Sequence, residues 1–564
     1  MQGFFLQNRI FVPIMIKDFI AYISVYLFFC VSAQAQISHG GDPLPLFHTK
    51  NQTDGLFVQM PTFDLAEQLR LDSLEAAGLR NSFRFAYKFM TDYTPENSGV
   101  RFTLPDGTKV WRLGIYSQGA RSLNILFSQY RLPEGARVFL YNSDQSEVLG
   151  AFNHLNNSER GILPVAPIQG DKLIIEYQEP AKAAFAGKLT VGEVNHGYRD
   201  LRISEPQPDF TAFQCMPAVA CFQDTTTRYD DIERSVLLLI IDGQVGCTGT
   251  LVNNTANNGK PYLLTASHCL NDQFQIQNPD YEEVAGKIVC YFNYNSPQCS
   301  PVEPGRTDQT VASAHFRAVN EQTDMALLEL QDTPPADYQA YYAGWNAQDA
   351  GTAPYACIHH PGGSLKRLNL VEGNVELATY KISVANFKEN SHWRVARWAA
   401  GCTAGGSSGS PLFDGDNRII GGLTGGASSC NNPTEDFFFS IQKSWSEPAD
   451  SSRQLKYWLD PVGLAVPVCT GMDPNEGGGT ANERIHATTD IHLAVDKYRH
   501  TIHIDFAAPV SQASCTLVSL TGNPVCTYSI TGQQATLPIG PIPAGVYIVK
   551  VVYDNKLYTQ KTLF

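Results

Sequence analysis

Short segments in which apolar and polar residues alternate recur through most of this sequence, and glycine, proline, asparagine or aspartate interrupts them at intervals. Such alternation is typical of half-buried β-strands joined by turns. The sequence also contains 45 Gly, 33 Pro, 25 Tyr and 30 Phe, a composition that suits many short strands. We therefore predict a mostly β protein. Its 564 residues are too many for one hydrophobic core, so we expect three or four domains.

Composition and charge exclude two classes of protein. Apolar residues make up 43% of the chain and charged residues 17%, which excludes a mostly disordered protein. The 41 Lys and Arg against 55 Asp and Glu give a formal net charge of −14. Because phosphate binding needs a basic face, nucleic acid is excluded as the main partner.

The N-terminal region has the features of an export signal. Lys17 precedes an apolar run at 19–33 of about 15 residues, and Ala33-Gln34-Ala35 forms a small-residue cleavage site. A membrane-spanning helix needs roughly 20 apolar residues, so a membrane anchor is the alternative that fits less well. We expect residues 1–35 to be a signal peptide, and the protein to be secreted or held at the cell surface.

Export determines how the cysteines are interpreted. Of the 13 cysteines, Cys30 lies in the expected signal peptide, which leaves an even 12 in an oxidising compartment. They do not have the paired spacing of zinc ligands, and no H-E-x-x-H motif occurs. We therefore predict disulfides and no metal site, although composition alone does not assign the pairs.

Changes in composition divide the rest of the chain into units. Residues 36–205 contain no cysteine and many short β-rich segments after a helix at 65–79, which predicts a sandwich-like N-terminal domain or propeptide. Residues 206–470 hold most of the cysteines. Residues 471–483 have the composition of a linker. Residues 484–564 alternate apolar and polar positions, which predicts a small C-terminal β-sandwich.

The central unit contains a candidate catalytic base and its partner. An apolar strand at 263–266 ends at His268, which stands beside Cys269. Asp324 opens a strongly apolar strand, so we expect its carboxylate to be largely buried. A buried carboxylate needs a partner, and an imidazole N–H is a good one.

A glycine-rich loop supplies a candidate nucleophile. In Gly405-Gly406-Ser407-Ser408-Gly409, the glycines allow a tight turn that directs two backbone N–H groups to one point. The order His, Asp, Ser in an exported β-rich chain predicts a serine-protease triad. Ser408 would attack the carbonyl, His268 would act as general base, and Asp324 would fix the imidazole tautomer. The N–H groups of Gly406 and Ser408 would form the oxyanion hole.

Further motifs surround these residues, at 247–257, 343–345, 358–361, 425–430 and 458–461. On all of them, residues 213–466 resemble the bacterial lysyl endopeptidases of the trypsin-like superfamily. The resemblance implies a double β-barrel that cleaves protein or peptide substrates after lysine, with neither metal nor organic cofactor.

The resemblance also assigns further residues. It implies the disulfides Cys215–Cys430, Cys221–Cys299 and Cys247–Cys269. It places Asp436 at the base of the primary specificity pocket, where a carboxylate would pair with a substrate ammonium; the alternative is an exposed acidic loop at Glu435 and Asp436. Outside the family pattern, Cys357–Cys402 and Cys515–Cys526 are further candidate pairs.

Three positions depart from the family pattern. Phe439 stands near a position where the family has glycine, and its bulk is expected to narrow the pocket or shift its specificity. Thr424 replaces a histidine that stacks on a tryptophan, and no tryptophan is evident near Ala385 to supply that partner. No lysine lies between Lys188 and Cys215, so self-cleavage before the central unit has no obvious site.

The C-terminal residues resemble a second family. Residues 542–551, followed by Lys556 and Lys561, are similar to the C-terminal sorting domains of the type IX secretion system of Bacteroidetes. This implies recognition by outer-membrane secretion machinery; a sugar- or surface-binding β-sandwich is the alternative.

The sequence therefore predicts a secreted, monomeric serine endopeptidase specific for lysine and made as a zymogen. One alternative keeps the enzyme with arginine or dual specificity. The other is a non-catalytic surface-binding protein on a protease scaffold.

Overall fold

The computed structural model describes residues 38–45, 55–78, 83–201, 215–223, 226–271, 276–299, 305–475, 491–496, 501–519, 524–540, 542–543, 546–553 and 556–563. The expected signal peptide at 1–35, the expected boundary at 206 and most of the expected linker at 471–483 lie outside these ranges. Among the described helices, none has the length and apolar character needed to cross a membrane.

The N-terminal unit packs one β-sheet against another. Its helix is α1 (Leu65–Gly78), and its strands are β1 (Phe57–Gln59), β2 (Phe83–Arg84), β3 (Ala86–Tyr93), β4 (Val100–Thr103), β5 (Lys109–Tyr116), β6 (Ser122–Arg131), β7 (Arg137–Asn142), β8 (Val148–Phe152), β9 (Leu163–Pro164), β10 (Ile168–Gln169), β11 (Lys172–Glu179) and β12 (Lys188–Gly197). One sheet has the order β1–β5–β11–β7–β8, and the other has the order β10–β6–β12–β3. Apolar residues from both sheets share one core, as the alternating pattern predicts.

The first half of the central unit is an antiparallel sheet of barrel type. Its helices are α2 (Ala220–Gln223), α3 (Asp230–Glu233) and α4 (Tyr281–Gly286), and its strands are β13 (Val236–Ile241), β14 (Val245–Val252), β15 (Tyr262–Ala266), β16 (Ile288–Tyr291), β17 (Thr310–Ala312), β18 (Ala314–Asn320) and β19 (Met325–Leu330). Their order is β17–β16–β13–β14–β15–β19–β18. Strand β13 is buried at every position, which explains its unbroken apolar sequence.

The second half of the central unit is a larger sheet that carries the serine loop. Its strands are β20 (Gly344–Asn346), β21 (Ala356–His359), β22 (Arg367–Val371), β23 (Glu376–Ala378), β24 (His392–Ala400), β25 (Pro411–Phe413), β26 (Arg418–Gly426), β27 (Thr434–Ser440) and β28 (Val468–Cys469), with helices α5 (Ile441–Ser444) and α6 (Lys456–Leu459). The order is β23–β24–β22–β21–β25–β26–β20–β28, and β27 pairs with β24 and β26.

The N-terminal unit is joined to the first half-barrel by backbone and ionic contacts. Strand β2 adds to the edge of β14, with Phe83 opposite Gly246. Lys287 makes an ion pair of 3.1 Å with Glu193 of the N-terminal unit. The two units also share one apolar core, so they form a continuous body.

The C-terminal unit is a separate antiparallel sheet. Its strands are β29 (Ile491–Asp496), β30 (Thr501–Ser519), β31 (Pro524–Pro538), β32 (Val546–Tyr553) and β33 (Lys556–Leu563). The order is β29–β30–β32–β33, with β31 beside β30. Its own cluster of buried apolar residues includes Ile502, Leu517 and Val549, as expected of an independent unit.

The cysteine pairs expected from the sequence have different outcomes. The structure contains the disulfides Cys215–Cys430, Cys221–Cys299 and Cys247–Cys269. The candidate pairs Cys357–Cys402 and Cys515–Cys526 are wrong, because no disulfide joins either pair among the described residues. Cys402 instead lies 3.5 Å from Cys215, and Cys515 faces Tyr528 rather than Cys526 across the sheet.

Candidate active site

Two adjacent strands bring His268 and Asp324 together. Strands β15 and β19 are antiparallel, and Ala266 at the end of β15 pairs with Met325 at the start of β19. The chain immediately after β15 therefore meets the chain immediately before β19. As a result, His268 Nδ1 lies 2.8 Å from Asp324 Oδ2, and both side chains are fully buried.

The Asp324 carboxylate is oriented by further donors. Its Oδ1 atom accepts hydrogen bonds from Ser267 Oγ at 2.9 Å and from the His268 N–H at 3.0 Å. With these partners, the carboxylate has a fixed position from which Oδ2 accepts the His268 Nδ1–H. That hydrogen bond selects the tautomer in which Nε2 is able to accept a proton.

The serine loop packs directly on the strand that leads to His268. Gly409 has φ +80°, and a Cβ atom there would come within 2.2 Å of Thr265 Oγ1 and 2.9 Å of the Ala266 nitrogen. Thr248 on β14 donates its N–H to the Ser408 carbonyl at 2.8 Å. Only glycine fits this approach, which places Ser408 against the end of β15.

The peptide carbonyls of the serine loop are all directed into the protein. The carbonyls of Gly405, Gly406, Ser407 and Ser408 accept hydrogen bonds from Gly362 N, Thr248 Oγ1, Ser410 N and Thr248 N, respectively. In a trans peptide the C=O and N–H bonds point in opposite directions. The N–H groups of Gly406 and Ser408 consequently point away from those partners, as an oxyanion hole requires.

A small cavity lies beside Ser408. Its lining residues are Thr403, Ala404, Ser408, Leu423, Gly425, Gly426 and Ser428. Most of these side chains are small or absent, so the cavity suits a slender chain. Gly426 is required at its position, because a Cβ there would approach Asp436 Oδ1 to 2.2 Å.

Asp436 lies behind this lining and is fully buried. Its Oδ2 atom accepts hydrogen bonds from Ser428 Oγ at 2.5 Å, Trp398 Nε1 at 2.7 Å and Thr403 Oγ1 at 2.9 Å. Burial raises the pKa of Asp436, and these three donors partly oppose the increase. The alternative of an exposed loop acid is wrong for Asp436. Glu435 pairs with Arg394 nearer the surface, but it lies on strand β27 and not in a loop.

Phe439 does not narrow the cavity, contrary to the sequence prediction. Its ring is fully buried in the core and packs over Gly422, where a Cβ atom would lie 2.5 Å from the ring. Because side chains alternate along β27, Phe439 lies away from the cavity that Gly425 and Gly426 line.

Thr424 has a partner that the sequence reading missed. Its Oγ1 atom lies 3.1 Å from His392 Nε2, and both residues are fully buried. The His392 ring packs against Phe387 and Tyr380, with centroid distances of 4.8 and 5.8 Å. Burial lowers the pKa of His392 to about 4, with the Asp324 charge opposing.

Three cysteine sulfurs within the described residues have the spacing of metal ligands, at Cys215, Cys402 and Cys430. Two of them, Cys215 and Cys430, are joined as a disulfide, which removes them as thiolate ligands. These residues therefore do not fit a metal ion.

The half-barrel sheets of the central unit, with a buried His–Asp pair and a glycine-rich serine loop, define a trypsin-like, β-rich protease fold. Residues 211–439 match the family model described as lysyl endopeptidase, C-terminal domain. A lysyl endopeptidase from Pseudomonas aeruginosa is 28% identical over 369 residues, covering 61% of this chain and 75% of that protein. These matches support a relationship between the central unit and the lysyl endopeptidase family.

One solved structure, a biofilm-associated protein BSP domain, aligns over 88% of this chain and 70% of its own. Its TM-score is 0.11 and its identity 9%, so this likeness supports no assignment of fold or function.

Proposed function

We propose that this protein is a secreted serine endopeptidase that hydrolyses peptide bonds on the carboxyl side of lysine. The observation that carries this proposal is the position of Asp436, which bonds to Thr403 and Ser428 in the wall of a cavity that Ser408 also lines. A lysine side chain in that cavity would bring its ammonium to the carboxylate while its carbonyl carbon stayed near Ser408. Charge-assisted hydrogen bonds would hold the ammonium there.

The residues around the cavity support an acyl-transfer mechanism. Ser408 Oγ attacks the scissile carbonyl carbon while His268 Nε2 takes the hydroxyl proton, and Asp324 stabilises the resulting imidazolium. The oxyanion accepts hydrogen bonds from the N–H groups of Gly406 and Ser408. His268 then returns the proton to the leaving amine as the C–N bond breaks. Water, activated by the same imidazole, hydrolyses the acyl-enzyme.

The shape of the cavity favours lysine over arginine. Gly425 and Gly426 contribute no side chain to the cavity, and the acid lies behind the lining. A lysine presents a thin methylene stem and a compact ammonium, whereas the planar guanidinium of arginine needs a wider end. Arginine or dual specificity is the outcome to be distinguished by experiment.

The two flanking units are proposed to serve maturation and export. The N-terminal unit is proposed to be a propeptide, which its strand pairing with β14 supports. Removal by cleavage at Arg199 or Arg202 would require another protease or a relaxed specificity. The C-terminal unit is proposed to engage outer-membrane secretion machinery, on the strength of the motif at 542–551.

A peptide-library digest with the processed protein tests the proposal. We expect cuts after lysine, their loss in Ser408→Ala, and a large loss in Asp436→Asn. Asp414→Asn is the matched control, because Asp414 is equally buried but accepts from Asp416 and Arg418 away from the cavity. Full activity in Ser408→Ala would exclude the serine mechanism. Cuts after arginine as well would reject strict lysine specificity, and no cuts would favour a binding protein.

A further inference from the structure

Two buried histidines lie next to the serine loop, and the proposed reaction uses neither. His359 ends strand β21, His360 follows it, and both are fully buried. The Nδ1 atom of His359 lies 2.7 Å from Ser407 Oγ, directly before the nucleophile. The Nδ1 atom of His360 instead lies 2.8 Å from the Ser364 carbonyl. The side chain of His359 thus contacts the loop, whereas that of His360 bonds within its own turn.

The hydrogen-bond directions at Ser407 follow from the protonation state of His359. Burial lowers the pKa of His359 to about 3, so the imidazole is neutral at neutral pH. Ser407 Oγ accepts the Ala404 N–H at 3.1 Å, which leaves its own hydrogen to donate to Nδ1. Ser407 therefore joins the beginning of the loop to an imidazole that is fixed in the core.

Near the same imidazole, a second side chain bonds to the chain before the loop. The Asn369 side chain lies next to His359 and partly offsets the lowering of its pKa. Asn369 Nδ2 donates to the Cys402 carbonyl at 2.8 Å. Thus His359 contacts the chain after Thr403, at Ser407, and Asn369 contacts it before Thr403, at Cys402.

We propose that His359 is a positioning residue for the oxyanion hole. By accepting a hydrogen bond from the Ser407 hydroxyl, His359 fixes the peptide between Ser407 and Ser408. It thereby orients the Ser408 N–H, which would donate to the developing oxyanion. Because His359 is neutral, its hydrogen bond to Ser407 holds the loop without the need for an ion pair. The inference rests on the proposed function, since it assigns a role within that reaction.

The alternative is that His359 only contributes to folding, and kinetics per active site separates the two. The experiment compares His359→Phe and Ser407→Ala with the control His360→Phe, which removes an equally buried imidazole that does not contact Ser407. Active sites are first counted by stoichiometric labelling with a fluorophosphonate. Then kcat and KM are measured on a lysyl peptide amide.

We expect both test variants to lose about tenfold or more in kcat per labelled site, with KM little changed, because an oxyanion donor acts on the transition state. His360→Phe should keep the wild-type kcat per labelled site. The double variant should lose no more than the worse single variant, because the two residues form one connection. If His359→Phe does not fold, Ser407→Ala carries the test.

Wild-type kcat per labelled site in Ser407→Ala or in folded His359→Phe would overturn the inference, as would additive losses in the double variant. A processed wild-type protein that the fluorophosphonate fails to label would overturn the proposed function itself, and this inference with it.

Discussion

The indole N–H of Trp398 donates a hydrogen bond of 2.7 Å to Oδ2 of Asp436. Trp398 lies on β24 and Asp436 on β27, strands that pair directly. The buried acid is therefore held from a neighbouring strand as well as from the cavity wall. A donor to the ionised form lowers a carboxyl pKa, so the indole favours the charge that a substrate ammonium requires.

Replacing Trp398 should change the pH dependence of activity. Loss of the indole donor in Trp398→Phe should raise the pKa of Asp436 further above its usual range. Asp436 would then be protonated at higher pH, so the acidic limb of kcat/KM for lysine substrates should shift upward. The control is Trp393→Phe, since Trp393 lies on the same strand but donates to the Ile420 carbonyl. Identical profiles in both variants would contradict this role.

The Asp324–His268 pair makes a second kinetic prediction. In Asp324→Asn, the amide N–H₂ group is able to face Nδ1 and stabilise the wrong imidazole tautomer. We expect kcat to fall by about 10⁴-fold with little change in KM. Ser267→Ala removes only the hydroxyl that donates to Oδ1 at 2.9 Å, so its loss should be far smaller. Comparable losses in the two variants would show that tautomer control is not the cause.

Much of the site was predictable because its residues stand in local patterns. His268 follows an apolar strand, Asp324 precedes one, and Ser408 lies among glycines, so each position is marked by its immediate neighbours. Antiparallel pairing of β15 and β19 then brings the first two together. Asp436 was placed by family resemblance, because nothing in its local sequence distinguishes a buried acid from an exposed one.

The residues that reasoning from sequence missed lie on strands far apart in the chain. Trp398, His392 and His359 occupy ordinary strand positions, and their roles arise only from pairing across the sheet. Phe439 illustrates the same difficulty. A shift of one residue in the pairing of β27 would move each of its side chains to the other face of the sheet. Local sequence does not fix that register, so the expected narrowing of the cavity was wrong.

Phe439 and Gly426 form a contrasting pair of variants. Phe439→Leu should lower the free energy of unfolding by about 1–3 kcal/mol and leave the preference for lysine over arginine unchanged, because the ring packs over Gly422. Gly426→Ala should change that preference as well as lower the free energy of unfolding, since its methyl would meet Asp436 Oδ1 and the Glu435 carbonyl and disturb the cavity. Urea unfolding and paired lysyl and arginyl substrates measure both effects. A changed preference in Phe439→Leu would place that ring in the cavity after all.

Buried neutral histidines should make the fold sensitive to acid. Burial lowers the pKa to about 3 for His359 and to about 4 for His392, from 6.5 when exposed. Below pH 6.5 the unfolded chain binds protons that the folded protein excludes. The free energy of unfolding therefore decreases as the pH is lowered, by up to about 1.4 kcal/mol per pH unit for each histidine. Urea unfolding of Ser408→Ala at pH 7 and 5 measures this loss. Adding His392→Gln, which retains a polar group opposite Thr424, should reduce by one the number of protons bound on unfolding. An unchanged dependence of the free energy of unfolding on pH would show that His392 is already charged in the folded state.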